Sequence, residues 1–334
     1  MIKATFFTDS FYLNNRQFNV LDETSNRDNC LYGFALLKNK FEEKGINLST
    51  QDINLPFESR FIIYNEIPKI KYISTDKNNY LLTLESKIIK PDNWNLKNHK
   101  YFRKIFTLDD NLVDNKKYFK VNYFHKIPTD SNFSMSKKEK LCTMIIGNKF
   151  VSHPLELYTE RIKAIRWFEQ NHPEDFDLYG IGWDKYYFKG VLSRLNRFES
   201  LRKLLKPKYF SYRGAVNSKR EVLQKYKFSI CYENVRDIPG YISEKIFDCF
   251  FAGCVPIYWG APNITNHIPA DTFIDKRNFN TYEGLYSYLK NMSDKEYINY
   301  SDAIKNFIKS DRINPFSAEC FVKILVNEIL RGEN

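Results

Sequence analysis

At 334 residues, 43% hydrophobic and 16% aromatic, the chain has more apolar material than one ordinary core holds and is too apolar to remain disordered. No apolar run reaches the ~18–20 residues of a membrane-crossing helix, the longest candidate being interrupted by Asp248, Gly253 and Pro256. The net charge of +11 is local: between residues 185 and 227 thirteen Lys or Arg meet only Glu199 and Glu221, and no zinc-finger, RRM or KH pattern beside them argues for a nucleic-acid partner.

In chain order, residues 2–8 alternate as a strand, and residues 31–44 carry a helical pattern that Gly45 closes. The first nine residues lack the apolar stretch and cleavage site of a secretory signal, so a cytoplasmic location is expected. β-rich runs follow at 61–64, 80–84 and 101–108, consistent with one mostly parallel sheet. Residues 128–140, rich in Ser, Thr, Asp and Lys, read as a linker, which puts a domain boundary near Ser136 and divides the chain into 1–136 and 137–334. The second half repeats the rhythm with a strand at 141–146, a helix at 155–171 and a strand at 176–180. The six cysteines, Cys30, Cys142, Cys231, Cys249, Cys254 and Cys320, are scattered without a C-x-x-C pair and are expected as buried thiols rather than metal ligands or disulfides.

In the basic stretch, residues 185–227, Val191, Leu192, Leu195, Phe198, Leu201, Leu204 and Leu205 recur at helical spacing with Arg194, Arg197, Arg202, Lys203 and Lys206 between them. That spacing predicts a basic amphipathic helix. Such a helix either docks on its domain with a solvated cationic face or lies on an anionic membrane leaflet, where apolar burial and lipid charge reinforce each other. Beyond it Ser218 and Glu221 have capping-box spacing ahead of a strand at 227–232.

The following segment carries the chemistry. A helix is expected to start at Ser243 as N-cap, bury Ile246, Phe247, Phe250 and Phe251, and end at Gly253 before a strand at 255–258. A loop that leaves a parallel strand and enters a helix presents unpaired N–H groups and a positive dipole end, a setting for phosphate. Lys245 in the first turn is unfavourable there unless something anionic compensates it, which points to a diphosphate.

Residues 232–234 (Tyr-Glu-Asn), 240–245 (Gly-Tyr-Ile-Ser-Glu-Lys), 252–260 (Ala-Gly-Cys-Val-Pro-Ile-Tyr-Trp-Gly) and 273–275 (Phe-Ile-Asp) resemble, in order over some fifty residues, the signature block of the α1,3/4-fucosyltransferase family, glycosyltransferase family 10, in its bacterial form. The resemblance implies a GT-B architecture, two Rossmann-like α/β domains facing across a cleft, with acceptor on the first and GDP-fucose on the second. It implies that Glu244 bonds the donor ribose, that Lys245 contacts the diphosphate, and that Tyr241 and Asn234 line the same pocket. The family's Asn…Arg pattern falls on Asn148 and Arg161, so Arg161 would share the phosphate charge, with Arg166 as competitor and an ion pair with Glu160 as the plainer role for Arg161. The chain departs from compact relatives in expanding the link after Asp177-Leu178-Tyr179-Gly180 into the basic stretch.

Inverting transfer needs a carboxylate to take the acceptor proton. Glu85 ends an apolar strand, and Glu85-Ser86 with Asn93-Trp94 resembles the family's base motif, although Phe102-Arg103-Lys104 departs from its next strand; Glu58 and Glu66 also follow β-like runs and remain alternatives. Asp175-Phe176-Asp177 has the form of a metal-binding Asp-x-Asp, but it opens a strand away from the donor helix, and the family resembled uses Lys and Arg in place of a metal; Asp109-Asp110 reads as a solvated turn.

The expectation is therefore an enzyme that transfers L-fucose from GDP-β-L-fucose to a glycan or glycolipid hydroxyl, α1,3-linked, in surface polysaccharide synthesis. Neither a metal nor another cofactor is expected, and peripheral contact with an anionic membrane stays the second of the two readings of the basic stretch. The alternatives are another GDP-deoxysugar as donor, since these contacts do not read the sugar ring, and a silent glycan- or nucleotide-binding module.

Overall fold

The computed structural model describes residues 1–128, 138–188 and 190–333. The first half builds β1 (Ile2–Phe7), α1 (Tyr32–Glu42), β2 (Ile46–Thr50), β3 (Phe61–Asn65), β4 (Asn78–Thr83), β5 (Lys104–Thr107) and β6 (Tyr118–Lys120). These strands form one parallel sheet ordered β2-β1-β3-β4-β5-β6. Its central strands are apolar on both faces, and the two-residue period sorts them: Phe61, Ile63, Tyr80, Leu82 and Phe106 enter one core, Ile62, Tyr64, Leu81 and Ile105 the other.

The second half contributes β7 (Lys140–Ile145), α2 (Tyr158–Asn171), β8 (Phe176–Tyr179), α3 (Glu199–Leu204), α4 (Lys219–Leu223), β9 (Tyr226–Tyr232), α5 (Glu244–Phe251), β10 (Val255–Trp259), β11 (Ile274–Asp275), α6 (Tyr282–Asn291), α7 (Asp294–Lys309) and α8 (Ala318–Glu333). Its sheet is again parallel, ordered β11-β10-β9-β7-β8. The strand order reverses at β7, so the crevice beyond the C-terminal ends of β7 and β9 is where such a sheet takes a ligand. Two Rossmann-like domains of this kind are the GT-B architecture.

The expected boundary at Ser136 lies outside the described residues, which omit 129–137. Assigning everything after it to one domain does not hold for α8, which returns to the first sheet. Its stripe of Phe321, Val322, Leu325, Val326 and Ile329 enters the N-terminal core, Glu333 accepts a 2.8 Å hydrogen bond from the Tyr80 hydroxyl, and Glu328 pairs with Lys104 at 2.9 Å. Tyr158, Val235, Ile238 and Tyr241 join the same core, so the domains meet through a packed apolar junction.

The basic stretch does not form the expected continuous helix. Residues 190–197 are a 3₁₀ segment, α3 is six residues long, and Lys189 lies outside the described residues. The pieces are pinned locally: the Asn196 side chain bonds both the N–H and the carbonyl of Phe188, and Tyr186 exchanges backbone and side-chain bonds with Arg202. Most of the apolar stripe faces out, Val191 at 94% exposed, Leu204 at 80%, and Leu192, Phe198 and Leu205 with them, while Leu195 and Leu201 are half-buried. Four of the six cysteines are buried as expected, but Cys30 is exposed and Cys320 half-buried; all six are free thiols.

Candidate active site

β9 delivers Glu233 and Asn234 to the crevice, and α5 begins ten residues later. Glu233 is completely buried and organises the loop between them: it accepts from the Ser243 N–H (2.8 Å), the Ser243 hydroxyl (2.6 Å) and Lys245 Nζ (3.2 Å). The expected N-cap therefore acts differently. The Ser243 hydroxyl is turned to Glu233 and makes no cap bond, which leaves the first turn of α5 without a side-chain acceptor. Lys245 is likewise not alone at the dipole end, because Glu233 and, at 3.5 Å, Glu244 compensate it within the protein. Burial opposes ionisation of Lys245, yet those two carboxylates raise its pKa above the ordinary lysine value. Glu244 is held down at about 2, since Lys245 and Lys219 outweigh the burial that works against its charge.

Arg161, on the inward face of α2, is 3% exposed. Its Nη2 donates to the Tyr232 carbonyl (2.6 Å) and to Asn234 Oδ1 (3.1 Å), and its guanidinium carbon sits 4.7 Å from the centroid of the Tyr158 ring. Its Nε and Nη1, with the Tyr158 hydroxyl, are buried without a hydrogen-bond partner. Donors left unmade in a protein interior are costly, and these three belong to residues that line one cavity. Burial pulls the guanidinium pKa below its ordinary value against the attraction of Tyr158 and Glu233. The ion pair weighed between Arg161 and Glu160 is not formed, since Glu160 takes Lys163; Arg166 pairs with Glu169 and stacks on Tyr209. The Asn148 side chain bonds the Gly182 carbonyl, and the asparagine that bonds Arg161 is Asn234.

From the N-terminal sheet, Glu85 follows β4 across the crevice. Its N–H donates to Glu66 (3.0 Å) and its carbonyl accepts from Trp94 Nε1 (3.3 Å). Burial raises the pKa of its carboxyl; Lys245 and Lys149 pull against that, and Glu244 adds to it. Glu58, one of the other carboxylates weighed, pairs with Lys3 at 2.6 Å on an exposed face, whereas Glu66 is half-buried and accepts from the Glu85 N–H.

Glu85, Arg161, Asn234, Tyr241, Glu244 and Lys245 all line one cavity of about 300 Å³, floored by Gly147 and Gly180 at the ends of β7 and β8. A second cavity of about 400 Å³ adjoins it, and Lys219, Glu244 and Asp248 line both. Together they lie in the size range of small-molecule sites. Lys219 pairs with Asp248 at 2.7 Å, and its N–H reaches Asp28 of the N-terminal domain. Burial pushes Asp248 up to about 6, with Lys219 pulling it back and Glu244 adding to the rise.

Asp175 is bound by Lys290 and Tyr286, and Asp177 by Lys140, Arg213 and Tyr226; neither lines the cavity. The turn at Asp109-Asp110 is not the solvated feature expected. Asp109 is buried, and Asp110 ties the domains together: it pairs with Lys120 at 2.6 Å and reaches Asn263 and His267 of the C-terminal domain, each at 2.8 Å. Sequence reasoning missed Glu233, Tyr158, Lys219 and Lys149. Glu233 stood inside the quoted motif without a role, and its burial against Ser243 and Lys245 is a tertiary contact that no periodicity signals.

Comparison with known proteins agrees with the resemblance. Residues 189–314 match the model described as glycosyltransferase family 10 (fucosyltransferase) C-term. The alpha-(1,3)-fucosyltransferase FucT of Helicobacter pylori is 36% identical over 75 residues, 22% of this chain and 16% of that protein, so the matched stretch is a small part of the relative's length. A crystal structure of alpha1,3-fucosyltransferase with GDP superposes with a TM-score of 0.56 at 16% identity, covering 99% of this chain and 91% of that one. An alpha-glucosyltransferase in complex with UDP and DNA gives 0.57 at 10% identity, covering 99% and 100%. At such identities the structural likeness establishes the GT-B fold, and the fucosyltransferase relation rests on the C-terminal match.

Proposed function

We propose that the protein is an inverting fucosyltransferase that moves L-fucose from GDP-β-L-fucose to a hydroxyl of an acceptor glycan, with an α1,3-type linkage. The carrying observation is the pair of buried, unpartnered donors on Arg161, a residue that lines the same cavity as Glu85. The diphosphate would take those donors, Lys245 Nζ and the first-turn amides of α5, while Glu244 and Asn234 would hold the ribose side of the donor. Glu85, with its raised pKa, would accept the hydroxyl proton as the acceptor oxygen bonds the anomeric carbon. The bond from that carbon to the β-phosphate oxygen breaks, and GDP leaves with the electron pair. Positive charge from Arg161 and Lys245 does for the leaving group what a divalent ion does elsewhere. Another GDP-deoxysugar stays the second reading, because none of these groups addresses the sugar ring.

The outward apolar residues of 181–210 extend the proposal. Ile181, Tyr186, Val191, Leu192, Phe198, Leu204, Leu205 and Phe210 are exposed in a stretch dominated by Lys and Arg, and this combination fits an anionic lipid surface. Since no helix among the described residues is long and apolar enough to cross a membrane, the contact would be peripheral, on the cytoplasmic leaflet, beside a glycolipid or growing polysaccharide.

Calorimetry against GDP, UDP and ADP tests the donor assignment, and NMR of the transferred sugar tests the stereochemistry. Selective GDP binding and an α-product from the β-donor are expected; preference for UDP or retention of configuration refutes the reading. Sedimentation with phosphatidylglycerol vesicles at low salt, against phosphatidylcholine vesicles, tests the membrane surface. Equal recovery with both refutes it.

A further inference from the structure

We infer that Glu66 is the positioning residue of the base: its buried carboxylate grips the two peptide N–H groups that lead into Glu85 and so fixes where that side chain stands. The inference rests on the reading of Glu85 as base. β3 ends at Asn65, in register with Leu82 of β4, so the next donors of the β4 segment have no strand beside them. Glu66 takes the strand's place. Its N–H bonds the Leu82 carbonyl, and its Oε1 accepts from both Leu84 N–H (2.9 Å) and Glu85 N–H (3.0 Å).

The arrangement is held against local preference. Glu66 sits at φ +71°, a left-handed conformation that a glutamate rarely adopts and that its surroundings must enforce. Asn93 enforces it: its amide N–H donates to the second Glu66 oxygen while its own oxygen accepts the Ile67 N–H at 2.8 Å. His99 Nε2 contacts the Asn93 carbonyl at 2.7 Å, and its Nδ1 the Tyr118 hydroxyl at 3.1 Å, which anchors the unit to β6.

Three donors and no acceptor surround the Glu66 carboxylate, an environment made for its ionised form. Burial nevertheless pushes its pKa up to about 7, with Asn93 and the two backbone donors lowering it and the nearby Glu85 raising it. Besides burial, the groups acting on the Glu85 carboxyl are Lys245, Glu244, Lys149 and the Ser86 N–H. Position 66 therefore orients the base through its peptide plane and sets a second carboxyl group close enough to feel the charge of Glu85.

The chemistry suggests an exchange test. In Glu66→Gln the new amide nitrogen would face that of Asn93, donor against donor. In the double variant Glu66→Gln/Asn93→Asp, the amide oxygen introduced at position 66 would still accept both peptide N–H groups. The carboxylate introduced at position 93 would accept from the new amide nitrogen and from the Ile67 N–H, so the charge would merely move. Glu66→Gln is expected to lower kcat roughly 10–100-fold by misplacing Glu85, to leave GDP affinity within about twofold, and to shift the acidic limb of the pH–rate profile; the double variant should recover most of kcat. An unchanged kcat and profile for Glu66→Gln overturns the inference, as does parallel loss of kcat, GDP affinity and melting temperature that the double variant fails to rescue. Glu85→Gln is assayed beside them. If it stays active the base reading itself falls, whereas an inactive Glu85→Gln with an unaffected Glu66→Gln removes only the positioning role.

Discussion

Replacing Arg161 with methionine should separate binding from stability. In the free protein the guanidinium makes two bonds, to the Tyr232 carbonyl and Asn234 Oδ1, and leaves Nε and Nη1 buried and unmade. A bond to a charged group is worth about 1.5–3 kcal/mol net, and a buried unmade donor costs about 1–3 kcal/mol. An apolar side chain of similar length loses the two bonds, leaving the Tyr232 carbonyl and Asn234 Oδ1 without that partner, but is relieved of the two unmade donors, so the contributions roughly cancel. Unliganded Arg161→Met should therefore differ by no more than about 1–2 kcal/mol, a melting shift of a few degrees at roughly 2–4 °C per kcal/mol. On the proposed reading the cancellation would end with donor bound, because phosphate oxygens would satisfy the unmade donors. Two such bonds are worth roughly 3–6 kcal/mol, a loss of about 10²–10⁴ in GDP affinity. At a GDP concentration 100 times the parent Kd, the parent gains about 2.7 kcal/mol, and a variant weakened 100-fold only about 0.4 kcal/mol. Calorimetry with GDP and thermal melts with and without it read both numbers. A variant that binds GDP within about threefold of the parent, or whose unliganded form collapses, refutes the reasoning.

As the proposed base, Glu85 would have to be ionised to act, so activity should rise with pH through a value above the ordinary 4.5, and Lys149→Met, by removing a cation that pulls Glu85 down, should move that limb to higher pH; a limb that stays put or moves down contradicts this. The sign for stability is opposite: with a folded pKa above the unfolded one, Glu85 contributes fully at low pH and its contribution is lost as pH rises through the raised value. Gly260→Ala would drive a Cβ into the Glu233 side chain and to 2.5 Å from the Tyr258 hydroxyl, and should weaken GDP binding roughly tenfold or more by unseating the carboxylate that holds Lys245, as calorimetry would show. Asp110→Ala removes the ties to Asn263 and His267 and should speed amide hydrogen exchange along the junction near Gly240, with little change inside either sheet.

How far the sequence could be read follows from which forces are local. The segment from β9 to β10 was legible because strand, helix and glycine turn each follow from short-range pattern and the motif spans them without a gap. β3 and β4 were visible as apolar runs, whereas β2, which starts directly after Gly45, and the three-residue edge strand β6 were not. α8 displays a clear apolar stripe, but a stripe says that a face is buried and not against which sheet, so its return to β4 and β5 could not be anticipated. The basic stretch shows the converse: its helical spacing yields short pinned pieces, with Leu192, Leu204 and Leu205 outward and only Leu195 and Leu201 half-buried. In the site, the quoted side chains do converge on one cavity, while the groups that hold them, Glu233 beneath Lys245 and Glu66 at the Glu85 N–H, act through contacts across loops that only the fold brings together.

The most direct test of the central claim follows GDP release from GDP-fucose by the parent protein and by Glu85→Gln, with GDP affinity measured on both. The account predicts that the parent consumes GDP-fucose, slowly alone and faster with a glycan acceptor, while Glu85→Gln binds GDP as tightly and turns over at least ~100-fold more slowly. A Glu85→Gln protein that transfers at the parental rate, or a parent that neither binds GDP nor consumes its sugar, would contradict it.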